Sequence, residues 1–253
     1  MIGWLALALA APYHDDAPDA SIRWATLRTE HFAIHYMAED RRGRPTNAQP
    51  YARALATRAD TVLRDAARAV GTVPIERVHV LVVDDVDDAR GFTLPHTDWI
   101  VLSAHPGQQL WRIRGRPDGP IDALAHELGH LLVHKASLRL PEPLNLGLEL
   151  GGTVEGPWGG GGLRLEVDHD SPYGWSEGLA EWVSEQAGVN TWTPERDAWL
   201  RATALEGRFL TWAELQVDVD KDDLGDAERA YQEGYAFARW LAARYGPDVH
   251  RRT

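Results

Sequence analysis

The sequence predicts an α+β fold: an N-terminal mixed sheet with an edge strand, then one buried helix, then a mainly helical C-terminal part. Three observations point there. Short runs with strand patterning come early in the chain. Segments with helical spacing dominate after Pro120. A stretch rich in glycine and proline, 138–174, separates the buried helix from the later ones.

The elements follow in order. In "IRWATLRTEHFAIHYM", Trp24, Phe32, Ile34 and Tyr36 alternate in part, which predicts a strand or hairpin over 24–37. "RRGRPTNAQP" is a loop. The Ala-rich "YARALATRADTVLRDAARAVG" carries Leu55, Val62, Leu63 and Val70 at near-helical spacing and stops at Gly71. "RVHVLVVDDV" is β-branched and reads as a buried strand. "GFTL" and "DWIVLS" read as two strands joined by "PHTD". A helix is expected over 120–137, with Pro120 suited to its first turn. The stretch 138–174 is an irregular insertion, with a hairpin considered at its Gly-rich centre. "SEGLAEWVSEQAG" returns to helix, with Ser176 as N-cap and Gly188 as stop. "TPERDAWLRATAL" and "DAERAYQEGYAFARWLAARYG" are two more helices. The organisation expected is 1–20 signal and spacer, 21–137 α+β part, 138–174 insertion and 175–253 helical part.

Composition bounds the function. The chain has 253 residues, 44% of them hydrophobic, enough for a real core. Its net charge of −12 is spread along the chain and argues against a nucleic-acid partner, which needs a basic face. There are no cysteines, so disulfides, thiolate ligands and a cysteine nucleophile are excluded. The apolar run from Trp4 to Ala11 ends in small residues, and Ala8-Leu9-Ala10 resembles a signal cleavage site, although no Lys or Arg precedes it. An extracytoplasmic location is the expectation; an N-terminal strand or unstructured start is the alternative. No segment reaches the ~20 apolar residues of a membrane span. The chain stops soon after the last helix, which leaves open that it is part of a longer protein.

The chemistry concentrates in "DALAHELGHLLVHKAS". Residues four apart share a helix face, so His126 and His130 point the same way and can share one metal ion. Glu127 sits beside them, placed as a general base in the H-E-x-x-H arrangement. Imidazole suits Zn²⁺, and a catalytic zinc keeps three protein ligands and one open position. With 11 His in 253 residues, chance supplies the motif roughly 0.03 times. Leu124, Leu128, Leu131 and Leu132 surround the polar residues, so the helix is buried, and buried histidines need partners. His134 lies about 12 Å from His126 along the helix axis at ~1.5 Å per residue and reads as a surface or second-sphere histidine.

The third ligand has two candidates. Glu149 follows His130 by 19 residues but sits in non-helical "NLGLELGGTV". Glu177 lies in "WSEGLAEW", where Glu177 and Glu181 are one turn apart beside Leu179, Trp182 and Val183. A second helix packed on the first could present Glu177 to the metal, with Glu181 bonding a ligand histidine. The plainer alternative is a solvated face, which Glu185 would continue. Glu177 is preferred over Glu149.

"HELGH" followed by "WSEGLAEW" resembles the gluzincin metallopeptidases, and most closely the bacterial peptidase MA-like domain. "TEHFAIHY", "GFTLPHTDWIVLS" and "YQEGYAFARWLAARYG" extend the resemblance over most of the chain. It implies a zincin-like fold, and it matches Glu177 to the family's ligand glutamate in W-x-N-E-G-[FL]-A. It also matches Tyr231, in "YQEG", to the tyrosine of Y-x-K-G that stabilises an oxyanion, with Glu233 in place of lysine. Tyr235, one turn on, is the rival. The aminopeptidase G-A-M-E-N motif is missing, so the implied activity is endopeptidase.

The resulting expectation is zinc-dependent hydrolysis of a peptide or protein substrate. His126, His130 and Glu177 hold Zn²⁺, Glu127 is the base, Tyr231 steadies the oxyanion. "DWIVLS" is expected to form the cleft rim and pair with an extended peptide. The rivals are a catalytically silent zinc-binding or scaffolding module and a zinc hydrolase acting on a non-peptide amide.

Overall fold

A computed structural model describes residues 22–72, 75–84, 91–94, 98–104, 119–137, 146–147, 166–167, 173–216 and 224–251. The expected signal segment, Glu149 and the Gly-rich centre of the insertion lie outside them.

Strands β1 (Arg23–Arg28) and β2 (Phe32–Glu39) form an antiparallel hairpin. Its turn is pinned by Asp60, which accepts from the Thr29 hydroxyl at 2.9 Å and the His31 amide at 2.9 Å. Asp60 belongs to helix α1 (Ala48–Val70), which starts three residues before the expected Tyr51. The helix crosses to β3 (Val78–Val83), which runs parallel to β2. In β3, Val78, Val80 and Val82 point into the core, following the two-residue period of a strand. The α1 stripe of Leu55, Ala59, Val62, Leu63 and Ala66 is buried in the same core. Burying each leucine contributes roughly 1.5–3 kcal/mol.

Strand β4 (Gly91–Leu94) precedes β5 (Trp99–Ser103), and the sheet order is β1-β2-β3-β5-β4. The β5 strand pairs parallel with β3 and antiparallel with β4. "DWIVLS" is therefore an interior strand, and the expectation that it forms the rim is wrong. The following element folds back from β4, so β4 takes the edge and β5 has ladder partners on both sides.

Helix α2 (Gly119–Ser137) carries the histidines and packs against α1 on one side and α3 (Tyr173–Gln186) on the other. The β6 (Leu146–Gly147) and β7 (Glu166–Val167) strands form a two-residue antiparallel ladder between the ends of the insertion. Because α3 begins at Tyr173, Ser176 lies inside its first turn and is not the N-cap. Gly188, with φ of +70°, follows the helix as expected. Helix α4 (Pro194–Leu205) starts from Thr193, whose hydroxyl accepts from the Arg196 amide. Two short elements went unanticipated: α5 (Trp212–Gln216) and a 3₁₀ turn (Pro247–Arg251) after α6 (Leu224–Tyr245). Arg251 in that turn donates to the carbonyls of Ala69 and Arg68, satisfying the C-terminal end of α1.

The helices meet at backbone contact. A Cβ added to Gly178 of α3 would lie 2.0 Å from the Gly234 carbonyl carbon on α6, and one on Gly129 of α2 would lie 2.7 Å from Ala180 Cα on α3. Only glycine allows this approach. It brings α2, α3 and α6 close enough for short polar side chains to meet. Among the described residues the arrangement is mixed α+β, with a five-stranded sheet, the two-residue ladder and six helices. Among the described residues, no helix is long and apolar enough to cross a membrane.

Candidate metal centre

The α2 helix presents His126 and His130 one turn apart, as the four-residue spacing requires. Their Nε2 atoms are 3.1 Å apart. From α3, Glu177 Oε2 reaches both, at 2.9 Å from His126 Nε2 and 3.4 Å from His130 Nε2. One ligand atom from each residue lies within 4.8 Å of the others. A tetrahedral ion with bonds of ~2.0–2.1 Å has ligand–ligand edges of about 3.3 Å, so the three donors already stand at coordination spacing. This buried His126–His130–Glu177 group could hold a metal ion.

The electrostatics of the metal-free group follow from its packing. Burial opposes charge on His130, but the Glu177 carboxylate and its hydrogen bond, with Glu127 behind, raise its pKa to about 9. Burial alone would raise Glu177, yet the charges and hydrogen bonds of His130 and His126 hold it well below the usual carboxylate range. The site thus gathers a carboxylate and a proton that a cation can replace.

The groups behind the donors orient them. His126 Nδ1 lies 3.1 Å from Glu181 Oε1, which leaves Nε2 directed at the group. Glu181 is fully buried, so the alternative of a solvated carboxylate face does not hold for it. Glu185 does lie off the site, paired with Arg239 at 3.2 Å. Ser176 Oγ lies 3.2 Å from His130 Nδ1. Its role is thus toward a histidine, where sequence reasoning saw a helix cap.

Glu127 turns the other way, toward the sheet. The Thr93 hydroxyl on edge strand β4 is 2.7 Å from Glu127 Oε2 and 2.9 Å from the Glu127 carbonyl. A Cβ on Gly91 would come within 2.9 Å of Glu127 Oε1, so glycine there keeps that oxygen uncrowded. Neither contact was visible in the sequence, because nothing local pairs "GFTL" with a helix that starts 25 residues later.

Tyr231 of α6 stacks on His126, with ring centroids 5.6 Å apart and planes 22° apart. Its rival Tyr235 is fully buried against Trp192 and under Arg196, away from the donors. His134 is half-buried and outside the three-residue group. Sequence reasoning also missed Arg196 and Asn190, which hold Glu181, and Gln232, which accepts from Arg196. Arg196 is 3.1 Å from Glu181 Oε2, and Asn190 donates to the same oxygen at 2.6 Å. Both sit beyond α3, at spacings that carry no helical signal. A comparison of the chain with protein-family models gave no match, and a comparison with curated proteins gave none either.

Proposed function

We propose that the protein is a zinc-dependent metallopeptidase of gluzincin type, acting as an endopeptidase. The carrying observation is the convergence of His126, His130 and Glu177, with Glu127 flanking them on the same helix. The set of two imidazoles and one carboxylate is a catalytic zinc set with a coordination position to spare.

His126 Nε2, His130 Nε2 and Glu177 Oε2 would hold the ion. Zinc, when bound, supplies Lewis acidity that acidifies water and polarises a carbonyl. Glu127 takes the water proton and passes it to the leaving amine. Thr93 donates to Oε2 at 2.7 Å, which holds the orientation of that carboxylate. Tyr231, beside His126, donates to the developing oxyanion. The N-terminal apolar run supports an extracytoplasmic location, and the mass of the expressed chain tests it by showing whether the segment ending in Ala8-Leu9-Ala10 is removed.

The test of the reading pairs metal analysis with casein-type hydrolysis. Wild type should bind one zinc and cleave. Glu127→Gln should keep the zinc and lose turnover; cleavage at the wild-type rate would overturn the assigned base.

A further inference from the structure

We propose that Arg196 is a positioning residue that ties the metal centre to the helix carrying Tyr231. The inference rests on the metal reading above and goes beyond it to a residue that touches neither metal nor substrate.

Arg196 stands in the first turn of α4. Arg201, five residues on in that helix, extends into solvent and pairs with Asp197 there. The Arg196 side chain instead runs inward and is 2% exposed. Burying a guanidinium costs several kcal/mol unless every direction of its fork meets a partner. Here Nη2 meets Glu181 Oε2 at 3.1 Å and Asn190 Oδ1 at 3.3 Å. The other terminal nitrogen, Nη1, donates to Gln232 Oε1 at 2.9 Å. The plane lies 4.9 Å from the Tyr235 ring centroid.

These contacts close a circuit. Arg196 and Asn190 hold Glu181 Oε2, which leaves Oε1 beside His126 Nδ1. On the other side, Gln232 is the residue after Tyr231, and the Tyr231 ring returns to His126. One buried cation thereby links α2, α3, α4 and α6. A charge partner for Glu181 would need only one end of the fork. The second end reaches α6 and sets the rotation of that helix, which fixes where Tyr231 stands. Lysine could supply the charge but not the two-ended reach.

The test is a double-mutant cycle on zinc affinity, read by chelator competition, with far-UV circular dichroism reporting the fold. Arg196→Met should weaken zinc binding ~10–100-fold, the usual effect of losing the support of a ligand histidine. Arg196→Lys should fall between Met and wild type. Added to Glu181→Gln, Arg196→Met should change zinc affinity by less than ~3-fold, because contacting residues in one network are not additive. Gln232→Leu should leave zinc affinity within ~3-fold and lower kcat with KM unchanged, since it cuts only the α6 arm. A folded Arg196→Met with wild-type zinc affinity, or full additivity with Glu181→Gln, would overturn the proposal. Should the methionine variant not fold, a lysine variant with unchanged zinc affinity and unchanged kcat overturns it equally. A wild type that binds zinc but cleaves no peptide removes the peptidase reading and leaves the affinity cycle intact as the test of Arg196. A wild type that binds no zinc overturns both.

Discussion

Between α1 and the sheet, the interior packs Leu55, Leu63, Val80 and Ile100 at zero exposure. Between α3, α4 and α6 it buries Glu181, Arg196, Asn190 and Gln232, each 3% exposed or less. The first interior needs only matching shapes, and each buried methylene contributes about 0.8 kcal/mol. The second holds charge that is costly without its partners, so its members are interdependent. The difference teaches where the candidate site is supported: the hydrocarbon half is a platform, and the polar half backs the donors His126 and Glu177 through Glu181 and the helix that carries both carboxylates. Disturbing the platform should change stability. Disturbing the polar half should change metal affinity and catalysis before it changes the fold.

The largest effect separates chemistry from both halves. Glu127→Gln should lower kcat by ~10³-fold, within the range for loss of a general base, with zinc content unchanged. Next comes the ligand set. Structural zinc sites with four ligands release roughly 10–16 kcal/mol, so losing one ligand removes about 3 kcal/mol, and Glu177→Ala should weaken zinc ~10²-fold in an affinity titration. Leaving zinc affinity untouched would return Glu149 as the third ligand.

The comparison itself is sharpened by two core changes. Leu63→Ala should cost ~2–5 kcal/mol in denaturant unfolding and leave the zinc affinity of the folded chain unchanged. Gly234→Ala places a Cβ 1.8 Å from the Gly174 carbonyl oxygen, so α3 and α6 must separate. It should cost ~1–3 kcal/mol and also weaken zinc, because Glu177 and Tyr231 ride on those helices. Equal loss of zinc affinity in both variants would break the comparison.

A pH effect follows. In the metal-free chain His130 is raised from 6.5 to about 9. Its folded form holds the proton more tightly than the unfolded form, so this contribution is complete below pH 6.5 and fades as pH rises through 9. The Tm of the metal-free chain should therefore decline across that window. Zinc displaces that proton, so zinc affinity should rise over the same window. The smallest effect belongs to His134→Ala, which should shift stability by about 0.5 kcal/mol or less and leave zinc affinity unchanged.

Legibility in the sequence tracks locality. His126, Glu127 and His130 were readable because helical geometry alone sets their relation. Glu177 was readable once a second helix carried carboxylates beside an apolar stripe, and Tyr231 through the resemblance of "YQEG". Sheet order was not readable: "DWIVLS" and "GFTL" have similar local patterns, and which one takes the edge depends on where the chain turns back. Ser176 looked like a cap because serine before an apolar run usually is one, but the helix gained a turn ahead of it at Tyr173. Arg196 and Asn190 were invisible because they reach Glu181 across a loop, through packing that no spacing encodes. The five-residue α5 helix is too short for a periodic signal.

The central claim is that His126, His130 and Glu177 coordinate one metal ion. Anomalous diffraction at the zinc edge from crystals of the zinc-loaded protein tests it most directly. The account predicts a single peak within ~2.0–2.2 Å of His126 Nε2, His130 Nε2 and a Glu177 carboxylate oxygen. A peak elsewhere on the chain, or none between these three side chains in zinc-saturated crystals, would contradict it.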